Sequence, residues 1–337
     1  ISTLTKMDIT QLVVLSVRWA QLTQNKRMNK ILAFLVTILL FGISKLPAQN
    51  YLNYYEKINE AEISNLDKNF EVADSVYQVA FELVEKSFKD DCLLASVNSE
   101  KLNDYQKTYE YLKKGILVGL TKKRIKKELS KFKKSDQWKS LKREFDSLRE
   151  KYLKSLNLTL RNELLKMVDK DQSVRHPIFG SWKKMKKTDS YNYNRLLEII
   201  KENNGKWPGR FNIGDGNEDG KYAYGEITIM LHHFSTEEVM NLKPILIEAI
   251  LNGNLSPYNV AYPLDYKNLK TISKRKRGNT IFAETCNIIG SYLGSKSKDA
   301  IICDCEKAEK ERKKIGLEPL DDYFRKRNST YDCYEQK

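Results

Sequence analysis

The sequence predicts a mainly α protein, and three observations carry that prediction. Apolar residues recur at helical spacing through most of the chain. A small–aromatic–small pattern between Ala61 and Gly115 repeats after 34 or 35 residues. Strand-like alternation of apolar and polar residues is scarce throughout.

The first element is a targeting signal. Residues 1–27 open on Ile and read as an extension upstream of the natural start. Met28-Asn29-Lys30 begins a short basic stretch, Ile31–Ile43 is an apolar run of 13 residues, and Lys45, Pro47 and Ala48 follow. That is the order of a secretory signal peptide over 28–48, with cleavage after Ala48. A bilayer-spanning helix needs about 20 apolar residues, so no stable membrane span is expected once the signal is removed. The expected location is the periplasm or the exterior, where thiols oxidise and calcium is abundant. The alternative is an uncleaved 31–43 segment that anchors the protein, with 1–27 as a cytoplasmic tail.

Residues 49–337 carry 53 Lys/Arg against 43 Asp/Glu, and residues 113–154 alone hold 16 against 5. The basic excess is therefore one patch, read either as a solvated helical face or as a site for an acidic polymer or anionic surface. Lys outnumbers Arg there and aromatic residues are few, which disfavours nucleic acid. The five cysteines are Cys92, Cys286, Cys303, Cys305 and Cys333. An odd count leaves one thiol free or intermolecular, and either Cys303 or Cys305 can reach Cys333 to pin the C-terminus. No C-x-x-C occurs, so neither a zinc knuckle nor a thioredoxin-type pair is indicated.

Residues 51–118 read as four helices in two similar hairpins. Ala61, Phe70, Ala73, Tyr77 and Ala80 are echoed by Ala95, Tyr105, Thr108, Leu112 and Gly115. Small residues at these positions let one helix approach the next, and the pattern resembles a tetratricopeptide repeat pair. Thr108 and Gly115 stand where such repeats usually have Ala. Lys-rich helices after Thr121 and after Ser135, with Trp138, Leu141 and Phe145 at helical spacing, are expected to cap the stack, completing a region over 49–156. Helix-pair arrays bind extended peptides or protein surfaces, so a protein or peptide partner is expected, acidic in character.

A second, uncharacterised α domain is expected over 157–300. Its helical pattern starts with Leu160, Leu164, Leu165 and Val168, crosses a Lys-rich loop at Lys183–Lys187, and resumes at Leu196, Leu197, Ile199 and Ile200 to stop at Gly205. A Gly/Asn/Asp-rich loop spans 209–220, a helix is expected from Gly225 to His233, and Ser235 with Glu238 forms a capping box for a helix ending at Gly253. The pattern weakens beyond Pro257, and 301–337 reads as a Cys-containing tail. Asp171-Gln172-x-x-Arg175, Asn194 with Ile199, Trp207-Pro208, His232-His233-Phe234-Ser235 and Ala261-Tyr262-Pro263-Leu264-Asp265 follow the order and spacing of an uncharacterised bacterial domain family, which residues 160–290 resemble. The last mark of that family survives as Phe282-Ala283-Glu284. Since that family has no known activity, the resemblance implies a boundary and a residue list.

Those residues have chemistry of their own. His233, Asp171, Arg175 and Asp265 can form a general acid–base pair with an anion clamp, since a carboxylate fixes an imidazole tautomer and Arg holds a carboxylate or phosphate. The plainer reading is an Asp–Arg brace beside a core histidine. Asp215, Asn217, Asp219, Lys221 and Glu226 fit the twelve-residue calcium loop D-x-[DN]-x-[DN]-G-x5-E, with Gly220 at the turn, against the plainer reading of a surface turn. No G-x-S-x-G, H-E-x-x-H or P-loop motif occurs. The expectation is an exported helical protein that binds a partner through its repeats. The alternative is an envelope hydrolase using His233 with Asp171 or Asp265.

Overall fold

Two antiparallel helical hairpins open the structure, a computed structural model that describes residues 50–175, 181–214, 227–277, 280–291 and 299–334. The expected signal segment 28–48 and calcium loop 215–226 lie outside these residues. The first hairpin is α1 (Tyr51–Leu66) and α2 (Phe70–Glu82); the second is α3 (Lys89–Lys101) and α4 (Tyr105–Leu117). Asn50 and Asp104 cap α1 and α4 by accepting backbone N–H bonds from Asn53 and Lys107. The small residues sit where the helices touch. Ala61, Ala73, Ala80 and Ala95 are fully buried, and a Cβ on Gly115 would come within 2.9 Å of Leu120 and 3.1 Å of Cys92. Thr108 occupies its small-residue position by turning its hydroxyl onto the Asp104 carbonyl, at 2.8 Å.

Two Lys-rich helices follow and pack on the second hairpin. They are α5 (Lys122–Glu128) and α6 (Asp136–Lys154), capped by Thr121 and Ser135 and joined through a 3-10 turn at Phe132–Lys134. Leu93, Leu112 and Ile116 from the second hairpin pack with Ile125, Leu129, Phe132, Trp138 and Leu141 in one apolar cluster.

The second half holds α7 (Leu158–Ser173), α8 (Trp182–Glu202), the short α9 (Arg210–Ile213), a 3-10 turn at Thr228–His232, α10 (Thr236–Leu251) and α11 (Pro257–Asn268). The Ser235–Glu238 capping box is present in both directions. Two expectations change here. Lys183–Lys187 is not a loop but the first turns of α8, whose start is solvated and so lacks apolar periodicity, while Lys itself favours helix. The described part of the expected 225–233 helix is a 3-10 turn.

Two small sheets follow that the alternation pattern did not reveal. β1 (Lys270–Arg277) pairs antiparallel with β2 (Thr280–Cys286), and β3 (Asp299–Ile302) pairs parallel with β4 (Thr330–Cys333). Between the latter run α12 (Cys305–Lys314) and α13 (Leu320–Lys326). With 13 α-helices among the described residues, the class is mainly α. The expected tail is thus a folded layer with its own apolar cluster, built on Ile302, Ala308, Leu320 and Phe324. Disulfides Cys286–Cys303 and Cys305–Cys333 tie it down, and Cys92 is a buried free thiol.

Residues from Gln49 onward belong to one compact unit, with the expected boundary near Asn157 inside it. Arg210 joins the halves. Its guanidinium donates to Gly253 O at 2.5 Å, Ser87 O at 2.8 Å and Lys86 O, and lies 3.8 Å from the centre of the Phe88 ring. Gly253 adopts φ +66°, and a Cβ there would fall 2.0 Å from the Tyr51 ring. Arg210→Met should therefore lose about 3–5 kcal/mol of stability, because it strands buried carbonyls on both sides of the junction. Arg210→Lys should recover little, since one ammonium cannot span three carbonyls. Urea midpoints of the three proteins check this, and a shift under about 1 kcal/mol for Met would refute the role given to Arg210.

Candidate functional site

Three of the four residues singled out for acid–base chemistry meet. Asp171 lies in the last turn of α7 and Arg175 one turn later, so the two share a face. Arg175 Nη1 is 2.9 Å from Asp171 Oδ1 and donates to the Asp171 carbonyl at 2.6 Å, while its other nitrogen pairs with Asp189 of α8. His233, just past the 3-10 turn, brings Nδ1 to 2.9 Å from Asp171 Oδ2. The approach is close but lacks hydrogen-bond alignment. Gln172 Nε2 donates to the same oxygen at 2.6 Å. Asp171 is fully buried, whereas the His233 side chain keeps 23% of its surface.

Asp265 is not part of this cluster. Its carboxylate accepts the backbone N–H groups of Ile288, Ile289 and Ser291 at 2.6–3.0 Å, and the Ser291 hydroxyl at 2.5 Å. Burial raises its pKa and those bonds oppose the rise. A carboxylate so occupied braces the loop after Cys286. It is not a base for His233.

His232 and His233 diverge as adjacent residues must. The His232 ring packs against Tyr262, with centroids 4.9 Å apart, and against Tyr266 at 6.0 Å. Burial, followed by the His233 and Lys267 charges, brings its pKa down to about 4. The described residues contain no group of three or more metal-ligating side chains, and the 215–226 loop lies outside them.

A second feature lies on the hairpins. A cavity of about 610 Å³ opens between α1, α2 and α3 on one side and Tyr258, Lys326 and Arg327 on the other. Its floor is apolar: Leu66 and Leu94 are 48% and 41% exposed, beside Phe70, Tyr77 and Val97. Its rim is cationic, with Lys68, Lys101, Lys326 and Arg327 against Glu62. Lys101 is positioned: its ammonium donates to Asn65 Oδ1 at 2.8 Å and stands 4.6 Å from the centre of the Phe70 ring. Asn65 in turn donates to Asn98, which donates to Phe70 O. Partial desolvation lowers the Lys101 pKa. Of these groove residues only Phe70 and Tyr77 were singled out from sequence, as positions of the repeat and not as a binding surface. Asn65 and Asn98 are 33 residues apart, out of step with the repeat of 34 or 35, so the repeat did not mark them. Lys326 and Arg327 were not marked either, because they come from the segment read as a tail.

A smaller cavity of about 50 Å³ beside Arg210 has room only for a water or two. No protein family, curated protein or solved structure matches the chain.

The His232 environment sets a pH dependence. A histidine held near 4 when folded and near 6.5 when unfolded binds its proton more readily in the unfolded chain. Its contribution is complete above pH 6.5 and is lost as pH falls toward 4. Wild type should lose stability across that interval, and His232→Phe should flatten the dependence. Melting temperatures through the interval test this; parallel curves for the two proteins would exclude it.

Proposed function

We propose that this chain binds a protein or peptide partner in the groove of its helical hairpins, which we read as tetratricopeptide-like repeats. The observation that carries the reading is the groove itself: exposed leucines on the floor, a positioned lysine, and a cationic rim. Exposed apolar side chains grouped in a cavity this size mark a binding surface and not ordinary surface scatter. The rim selects acidic character in the ligand and the floor selects an apolar side chain between the acids. Monomer stability gives no reason to leave Leu66 and Leu94 exposed together.

We also read the protein as exported. The order of residues 28–48 supports this, and the two disulfides favour an oxidising compartment. Calcium in the 215–226 loop is part of the same proposal and rests on its ligand spacing alone. No helix among the described residues is long and apolar enough to cross a membrane.

Selection of random displayed peptides on the wild-type protein, with counter-selection on Leu94→Glu, tests the groove. Enriched peptides should be acidic with at least one large apolar residue. Lys101→Ala should weaken them by at least about tenfold, and Val79→Ala, outside the groove, should not. If no peptide distinguishes wild type from Leu94→Glu, the groove is not the binding surface.

A second reading is an envelope hydrolase in which His233 is the base and Asp171 its orienting carboxylate. The 2.9 Å approach of Nδ1 to a fully buried carboxylate favours it. It expects turnover somewhere in a panel of ester and amide substrates, abolished by His233→Gln without loss of fold. A panel with no His233-dependent turnover would leave the cluster as a brace.

A further inference from the structure

The hairpin stack is electrically divided in a way the groove does not use. Residues 50–112 hold 6 Lys/Arg against 13 Asp/Glu, and residues 113–154 hold 16 against 5. The sign of charge therefore changes between the two hairpins and the helices that close them.

The basic end is firmly built. Ile125, Leu129 and Phe132 are each fully buried and anchor α5 and the 3-10 turn to the stack. Around these anchors Lys123, Lys126, Lys127, Lys131, Lys133 and Lys134 are all exposed. Lys127 approaches Glu128 at 3.6 Å and Lys133 donates to the Lys126 carbonyl at 2.8 Å; among the described residues no ion pair engages the other five. Arg124, the only arginine of α5, is tied to Asp90.

We propose that this basic end docks the protein on an anionic lipid bilayer. The chemistry excludes other polyanions in turn. Phe132 and Trp138 are buried, so no aromatic platform is offered to bases. Neither cavity described above is lined by these lysines. Arg124 is held by Asp90, and the exposed Arg143 lies apart on α6, donating to Ser140 Oγ at 3.2 Å, so no free arginine fork stands among these lysines to grip single phosphates. What remains is a set of exposed point charges on α5 and the 3-10 turn, which suits an extended anionic surface. The apolar side chains of α5 face inward, so the contact is electrostatic, reversible and screened by salt. The acidic hairpins are repelled by the same surface, which favours one orientation with the basic end down.

Co-sedimentation of the full chain with vesicles tests the proposal. Pure phosphatidylcholine vesicles and equimolar phosphatidylcholine–phosphatidylglycerol vesicles are compared, so that any contribution from the apolar run 31–43 is common to both. Binding is expected to require phosphatidylglycerol and to disappear at high salt. The variant K126Q/K127Q/K131Q/K133Q should bind at least about tenfold more weakly with an unchanged melting temperature. If that variant does not fold, K123Q/K134Q provides the same comparison at smaller amplitude. Failure to bind, equal binding to both vesicles, or full affinity in a folded variant would overturn the proposal. Displacement from vesicles by soluble polyglutamate at equal anion concentration would instead make an acidic polymer the partner.

Discussion

The junction at Arg210 and Asn254 is the constraint on which the rest of the structure depends. Arg210 N–H donates to Asn254 O at 2.9 Å, and Phe211 N–H donates to Asn254 Oδ1 at the same distance. Asn254 Nδ2 donates to Trp207 O at 3.1 Å. The Arg210 side chain then crosses to the carbonyls that end the first hairpin. One buried cation thus satisfies carbonyl groups from two parts of the chain that burial would otherwise leave unpaired. Gly209 and Gly253 are dictated by this closeness: a Cβ on Gly209 would lie 2.2 Å from Asn254 O. The hairpins and the second half are held in one arrangement because this knot admits no other.

A second knot, at the opposite end of the chain, turns that arrangement into a groove. Glu318 is buried, yet it accepts from the Tyr258 hydroxyl at 2.6 Å and lies 3.4 Å from Lys326, 3.7 Å from Arg312 and 3.8 Å from Arg327. A buried carboxylate is tolerable only among such partners. Its consequence is to hold Lys326 and Arg327 at the groove rim. Lys326 also pairs with Glu62, and Asp322 accepts from Asn59 at 2.6 Å, so α13 is fastened directly to α1. The disulfide Cys305–Cys333 closes the same segment covalently. The groove wall is therefore non-local: Lys326 meets Glu62 across 264 positions of sequence, and Asp322 meets Asn59 across 263.

That non-locality explains what the sequence disclosed. The hairpins were legible because their determinants are local: caps, small residues and a repeat of 34 or 35 positions. The Ser235–Glu238 box was legible for the same reason. Asp171 and Arg175 were legible as an i, i+4 pair, and His233 joined them only through the packing of the 3-10 turn on α7. Arg210 carries no local mark; a lone Arg after Trp-Pro-Gly reads as surface until its carbonyl partners are known. Asp265 was singled out for its residue type, but its role is set by a loop more than 20 positions away. β3 and β4 are four residues each, too short for alternation to register, and their pairing spans two helices. Lys183–Lys187 misled because a solvated helix start has no apolar stripe.

The cluster around Asp171 poses a question of surplus. A fully buried carboxylate needs compensation, and Arg175 with Gln172 already supplies a cation and a neutral donor. Arg175 is itself balanced by Asp189, which links α7 to α8. A brace between those helices is complete at that point. His233 adds an imidazole from a third element to an oxygen that Gln172 already serves, and it does so with part of its ring at the surface. Extra coordination of a satisfied carboxylate is no requirement of packing, because an apolar side chain would seal the same position without a polar group to desolvate. What the arrangement does achieve is to turn Nδ1 toward a buried carboxylate at 2.9 Å, without hydrogen-bond alignment, while part of the side chain stays at the surface. The hairpin groove and this imidazole are separate devices on one frame.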